Sequence, residues 1–250
     1  LSAVSLAVLL PLGLFVFKRT PQEAGLLPYG QGEEITHEKK KQNVQASHWN
    51  ATLKEARKTP VLWIFCLGAF LIYFTACILQ HQSTYLRSVG FDAASVAAYI
   101  SLYSAVAIFG KLALGWVFDH FGAKRGIILG CGTFLLFLIA FLFVQGNQGM
   151  LYLSAVLYGF GTSTATVAIP ILITSVFGPR NYSELYGFAS SFTMAGSALG
   201  SAGIGMMYDI SNSYRPALVI LAALTILSII VMVISIRMGQ HHTPARPEQT

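Results

Sequence analysis

Six long apolar stretches constrain this chain more than any other feature. They cover residues 61–79 or a little beyond, 93–117, 126–144, 150–177, 184–207 and 216–236, and a shorter one occupies 1–17. A hydrocarbon core of about 30 Å is crossed by about 20 helical residues, so each of the six can span it once and 1–17 reads as the end of a further span. Backbone N–H and C=O groups find no water there, which leaves helices or a closed barrel. Apolar runs of this length lack the alternation of barrel strands, so the expected fold is an all-α integral membrane bundle. Composition agrees: 54% of the 250 residues are hydrophobic and 10% charged, against about 25% charged in a soluble domain.

Residues 18–59 break the pattern. They carry Lys18, Arg19, Lys39, Lys40, Lys41, Lys54, Arg57 and Lys58 with Glu23, Glu33, Glu34, Glu38 and Glu55, and read as a solvated linker. The end of this stretch, Leu53 to Lys58, fits either a short interfacial helix ahead of Pro60 or an unstructured tether. The expected organisation is a helix end at 1–17, a linker at 18–59, a bundle at 60–236 and a polar tail at 237–250. If the spans alternate, the linker bases share one side with Lys124, Arg125, Arg180, Arg237 and Arg246, and only Arg87 and Arg215 lie opposite. The positive-inside rule then puts the linker and the C-terminus in the cytoplasm of a cell (inner or plasma) membrane. Leu1 stands inside an apolar run with neither an initiator Met nor a basic leader, so the expectation is a chain that begins within a span and carries no signal peptide.

Several function classes drop out. The net charge of +6 is spread over linker and loops, which is no nucleic-acid-binding face. Cys66, Cys77 and Cys131 lie in apolar runs without pair spacing or a nearby His cluster, so they read as small core residues and neither a zinc site nor a disulfide framework. His241-His242 lacks further ligands for a metal. The sequons at Asn50 and Asn181 fall on the cytoplasmic side. No nucleophile elbow, phosphate loop or carboxylate pair occurs, so no enzyme and no cofactor is expected.

Lys111 is the one clear ionisable side chain within a span. It lies eight residues before Asp119, about 12 Å from that helix end. An ammonium near mid-bilayer costs roughly 2.5 to 3.5 kcal/mol on insertion scales, and such groups face a cavity or a partner. An anionic solute would be that partner; snorkelling to the interface is the alternative. Ser104, Ala107, Ile108, Leu114 and Gly115 are expected on the same face. Tyr73, Tyr103 and Tyr158 lie well inside spans, where a hydroxyl either binds a solute or meets a local carbonyl. His81, at the outer end of its span, is either a titrating vestibule group or an interface residue.

The segment Gly115 to Arg125 closes that span. Gly115 permits close approach of a neighbour, Asp119 can accept backbone donors at a helix N-terminus, Gly122 turns the chain, and Lys124 and Arg125 face the anionic leaflet. Such a set can gate the cytoplasmic end. Gly196 and Gly200 form a Gly-x-x-x-Gly pair on a thin helix, expected to pack on the span carrying Gly115. Pro170 marks an expected kink.

The pattern Gly115-x-x-x-Asp119-x-x-Gly122-x-Lys124-Arg125 resembles the cytoplasmic loop signature of the major facilitator superfamily, in its second-half copy; His120 and Ala123 stand where bases are usual. The linker, six spans and tail are similar to that C-terminal half. Arg19 to Gly30, Thr52 to Trp63, and Phe177 to Tyr182 with Tyr186-Gly187 resemble the oxalate/formate antiporter and monocarboxylate transporter branch. In that branch a basic residue in the second span of this half binds the substrate carboxylate, and the matching position is Lys111. Lys keeps the charge there but loses the planar fork of Arg. The antiporters can carry a second base in the fifth span, where Ser190 to Ala195 offer none.

The resemblance implies the six-helix C-terminal half of a twelve-helix fold, with the end of the preceding helix attached, paired in the bilayer with an N-terminal half. It implies alternating-access transport of a small organic anion, a monocarboxylate or a formate- or oxalate-like solute. A major facilitator transporter of drugs or sugars is the alternative, and a non-transporting receptor or scaffold a more distant one.

Overall fold

The structure, a computed structural model, describes residues 49–241. These form seven helices: α1 (Leu53–Ala56), α2 (Pro60–Ala76), α3 (Ile78–Ser88), α4 (Ala93–Leu142), α5 (Gln148–Phe177), α6 (Tyr182–Ser211) and α7 (Arg215–His241). No strand occurs among the described residues. The expected segments at 1–17 and 18–48, and the tail beyond His241, lie outside them.

The helices make six crossings. Helices α2 and α3 run nearly end to end through Cys77 and form one crossing, Pro60–Ser88. At 50 residues, α4 would be about 75 Å long if straight, more than twice a bilayer core. It folds back at Gly122, whose φ of 78° belongs to the left-handed region, where a side chain would clash. Phe118 then packs on Gly126 and Leu114 on Gly130, pairs that straddle residue 122 symmetrically. Residues 93–121 and 123–142 are thus two antiparallel spans. Pro60–Ser88, Ala93–Leu142, Gln148–Phe177 and Arg215–Gln240 are long and apolar enough to cross a membrane; α6 is as long as α5 but diluted by glycine and serine. The chain is an all-helical integral membrane protein.

Local chemistry sets the helix ends. Asp92 caps α4 by accepting from Ser95 N at 2.9 Å, and Asn147 caps α5 by accepting from Met150 N at 3.1 Å. Asn212 ends α6 in the left-handed conformation, its N–H donating to Tyr208 O. The Asp92 and Asn147 side chains satisfy backbone groups that a helix N-terminus leaves orphaned. Helix α5 continues through Pro170 without a break, and α7 runs past the expected bundle limit of 236 to His241.

Of the two readings of the linker's end, the structure has a short helix, and it is docked. Thr52 and Glu55 close a reciprocal capping box on α1. The Ala51 N–H donates to Phe177 O at 3.0 Å, and Asn181 Nδ2 donates to Ala51 O at 3.1 Å. The chain just before α2 is thereby strapped to the turn between α5 and α6. Ala51 and Ala56 are buried against the core, while Lys54, Glu55, Arg57 and Lys58 of the same stretch stay exposed.

Packing pairs α4 with α5, and α2 with α6 and α7, while α7 also touches α4. The buried apolar residues form two clusters stacked along the helix axes. One, toward the Gly122 end, holds Leu62, Phe65, Ile127, Leu172 and Phe177. The other, toward the Gly146 end, holds Tyr85, Tyr99, Phe137, Phe141 and Tyr158. Close contact depends on small residues: a Cβ on Gly161 would stand 2.7 Å from the Phe134 Cα, and one on Gly110 would stand 2.8 Å from Gly159 O. Lipid tails give helices no hydrophobic reason to associate, so such contacts carry much of the packing.

The glycine contacts differ in what they tolerate. Gly161→Val should cost about 1 to 3 kcal/mol through overpacking, read as a lowered unfolding temperature in detergent. Gly132→Ala, at a position with open space around it, should leave that temperature unchanged.

Candidate functional site

Between the two apolar clusters the interior turns polar. Thr75, Ser163, Thr164, Thr225 and Ser228 are all buried at this level. Most of their hydroxyls donate to a carbonyl of their own helix, as Thr225 does to Leu221 O and Ser228 to Thr225 O, each at 2.8 Å. A cavity of about 10 Å³ lies here, lined by Thr75, Cys131, Thr164, Thr225 and Ser228 among others. That is room for one water at most.

Lys111 lies at the same depth. Its neighbour Gly110 is pressed on Gly159 and Phe160 and close to the Ser163 hydroxyl, which fixes this turn of α4 against the middle of α5. One residue further along a helix is a turn of about 100°, and Lys111 is exposed. Ile108, at 64%, and Leu112, at 70%, are exposed beside it. Ser104 is exposed too, with its hydroxyl donating to Ile100 O. The expected face needs one correction: Leu114 is 7% exposed and packs toward Gly130, so it belongs to the core. Lys111 makes no hydrogen bond or ion pair with any described residue.

The three tyrosines separate. Tyr103 and Tyr158 meet edge to face, with ring centroids 5.0 Å apart, and Tyr99 joins at 5.6 Å from Tyr103. Tyr158 is fully buried and Tyr103 half-buried. Tyr73 sits on α2 against the other apolar cluster, and its carbonyl accepts from the Cys77 thiol at 3.3 Å. The fold brings Tyr103 and Tyr158 together and leaves Tyr73 apart from them.

At the turn, Asp119, Lys124 and Arg125 are exposed. Asp119 makes no hydrogen bond with a described residue, so the expected capping of a helix N-terminus is not formed among them. Gly115 also departs from expectation: a Cβ there would meet nothing within 4 Å, so no described helix approaches it. His120 instead bonds through Nδ1 to Trp116 O at 3.0 Å and stacks on the Trp116 ring at 4.5 Å.

Gly196 and Gly200 have a different neighbour from the one expected. They press on the backbone of Phe70 and Phe74 in α2, not on the span carrying Gly115. The helices that follow in sequence order from the Gly122 turn pack on each other, and α6 is left facing α2. Side chains continue this seam outward. The Cys77 thiol donates to Ser197 O at 2.8 Å, Ser201 Oγ donates to Gln80 Oε1 at 2.7 Å, and His81 Nε2 lies 3.2 Å from Ser201 O. His81 is therefore an interhelix residue, with its ring 6.0 Å from that of Tyr214.

Two features escaped the sequence. The strap from Ala51 to Phe177 and Asn181 joins segments far apart in the chain, with no local signal. Gln82 is buried to 2% among Ile78, Tyr85 and Leu86 of α3; its spacing of four residues from Ile78 and from Leu86 was the available clue.

Comparison with known proteins bears on this arrangement. The family model described as Major Facilitator Superfamily matches residues 1–146 and 81–250. Among curated proteins, the hexose-6-phosphate:phosphate antiporters of Escherichia coli strain K12 and of Escherichia coli O157:H7 are similar, each 21% identical over 183 residues. The aligned region is 71% of this chain and 40% of each antiporter, so the chain spans well under two thirds of the length of these relatives.

The seam between α2 and α6 has a direct check. Gly200→Val places a branched side chain against the Phe74 carbonyl and should lower the unfolding temperature in detergent, by about 1 to 3 kcal/mol of stability. Gly187→Val on the same helix, where a Cβ meets nothing within 4 Å, should have less than half that effect.

Proposed function

The chain belongs to the major facilitator superfamily, and from that premise we propose that its bundle is the second half of an alternating-access transporter for a small organic anion. Lys111 carries this reading. It is exposed, unpaired among the described residues, and level with the middle of the bundle. An ammonium held at that depth is too costly to leave against acyl chains. It is accommodated if the exposed stripe of α4 lines a watery cleft against an N-terminal six-helix half.

In this mechanism Lys111 neutralises the anion from whichever side the cleft is open. The small interior cavity of about 10 Å³ is too small for the solute, so its charged end is met at the cleft between halves. The Gly122 turn, with Asp119, Lys124 and Arg125 exposed around it, closes and opens the cytoplasmic end against the partner half. The open space around Gly115 suits an approaching helix of that half. The glycine contacts of α4 with α5 and of α6 with α2 hold this half together while it rocks. The orientation that places this turn, the strap and the C-terminus in the cytoplasm of a cell membrane rests on the positive-inside rule.

For the solute, a monocarboxylate or a formate- or oxalate-like anion follows from the motif resemblance and the position of Lys111. A phosphate ester is a second reading, favoured by the two antiporters to which the chain is similar. Both put a negative charge at the same ammonium, and both suit exchange.

The test is uptake into proteoliposomes by the two-half transporter. Lys111→Ala should lower uptake of its anion by about 10- to 100-fold, the worth of a charged hydrogen bond. Lys111→Arg should retain a substantial part. Unchanged uptake by Lys111→Ala would reject the anion reading.

A further inference from the structure

Gln82 lies on the packed face of α3, with Ile78, Tyr85 and Leu86 buried around it. It is 2% exposed, and neither its Nε2 nor its Oε1 has a hydrogen-bond partner. Leucine would fill the same space without a polar atom, so packing alone does not account for glutamine. A buried amide with nothing to bond is among the costlier groups a bundle can hold.

Two more unsatisfied groups share this region. The hydroxyls of Tyr158 on α5 and Tyr99 on α4 are also without partners, and both residues are buried to 1% or less. The Gln82 amide and the Thr162 hydroxyl lie beside the Tyr158 hydroxyl, and the Ser154 hydroxyl, which donates to Leu151 O, lies beside that of Tyr99, all without reaching hydrogen-bonding geometry. Aromatic rings enclose the group: Phe137 is 4.8 Å from Tyr158, and Tyr103 covers it from the half-exposed side at 5.0 Å. Three helices thus converge with unused donors and acceptors inside an aromatic wall.

The chemistry selects a ligand class. An amide and phenolic hydroxyls donate and accept but bring no positive charge to offset the desolvation of an anion, so at a buried site they suit a hydroxyl or carbonyl better than a carboxylate or phosphate. His81, next to Gln82 in the chain, is turned to Ser201 O. We propose that Gln82, Tyr158 and Tyr99, with Tyr103 as cover, form the subsite for an uncharged polar end of the transported solute. The solute is then a hydroxylated organic anion of several carbons, not a bare carboxylate such as formate. This rests on the reading of Lys111 as the anion site. Tyr103 precedes Lys111 by about 12 Å along α4, a gap that the lysine stem shortens and a chain of several carbons spans. Entry requires Tyr103 to turn aside.

Gluconate and hexanoate, six-carbon carboxylates with and without hydroxyls, are the probes. Their apparent affinities are read from ligand-induced shifts in the unfolding temperature of the purified two-half transporter. The wild type should bind gluconate more tightly than hexanoate. Gln82→Leu and Tyr158→Phe should each weaken gluconate about tenfold while leaving hexanoate within about twofold. Without ligand, Gln82→Leu should unfold at or above the wild-type temperature, since an unpaired buried amide is removed. A wild type without preference for gluconate, or variants that weaken both probes equally or neither, would overturn the subsite. Lys111→Ala separates the two readings: it should abolish binding of both probes. If both persist in Lys111→Ala while the gluconate preference still depends on Gln82, the anion reading fails and the subsite stands.

Discussion

A lysine level with the middle of a bundle of apolar helices is the constraint on which the rest of the molecule turns. Helices in lipid are otherwise forgiving, because any apolar surface is as comfortable against acyl chains as against a neighbour. Lys111 is not. Its backbone is fixed in depth by Gly110 against α5, and its side chain leaves the bundle on an exposed face. Either the stem carries the ammonium to an interface, or the face is wet. In the second case, the one proposed, the exposed stripe of Ser104, Ile108 and Leu112 around it would be the wall of a cleft completed by another half.

The rest of the bundle supports that wall. Two apolar clusters, one toward each membrane surface, are joined at a level of buried hydroxyls. Hydroxyls bonded to carbonyls of their own helix satisfy themselves and create no lasting bond between helices. Helix pairs are instead keyed by glycine contacts, which permit approach without side-chain entanglement. At the Gly122 end the strap from Ala51 ties the chain before α2 to the turn after α5. At the other end the serines of α6 lace it to α3 through Cys77, Gln80 and His81.

Much of this was legible in the sequence because a bilayer imposes simple rules. Five of the spans follow from apolar length, α6 being diluted by glycine and serine, and the turn at Gly122 from a glycine between two such lengths. The ends were less legible: capping by Asp92 and Asn147 and the growth of α3 to Ser88 depend on polar residues that hydropathy does not see. Packing partners were not legible. Gly196 and Gly200 announce a close contact by their spacing, but nothing in one helix says that Phe70 and Phe74 lie opposite. The tyrosines illustrate the same limit. Their depth is set by position in a span, whereas the meeting of Tyr103 with Tyr158, and the separation of Tyr73, depends on the rotation of three helices.

Water access to position 111 probes the wet face most directly. Lys111→Cys, with Cys66, Cys77 and Cys131 replaced by alanine or serine, would be treated with a membrane-impermeant thiol reagent in vesicles containing the two-half transporter. The account predicts labelling, slowed by the transported anion. Absence of labelling from either side of the membrane, in a protein that still folds, would contradict it and return Lys111 to the lipid interface.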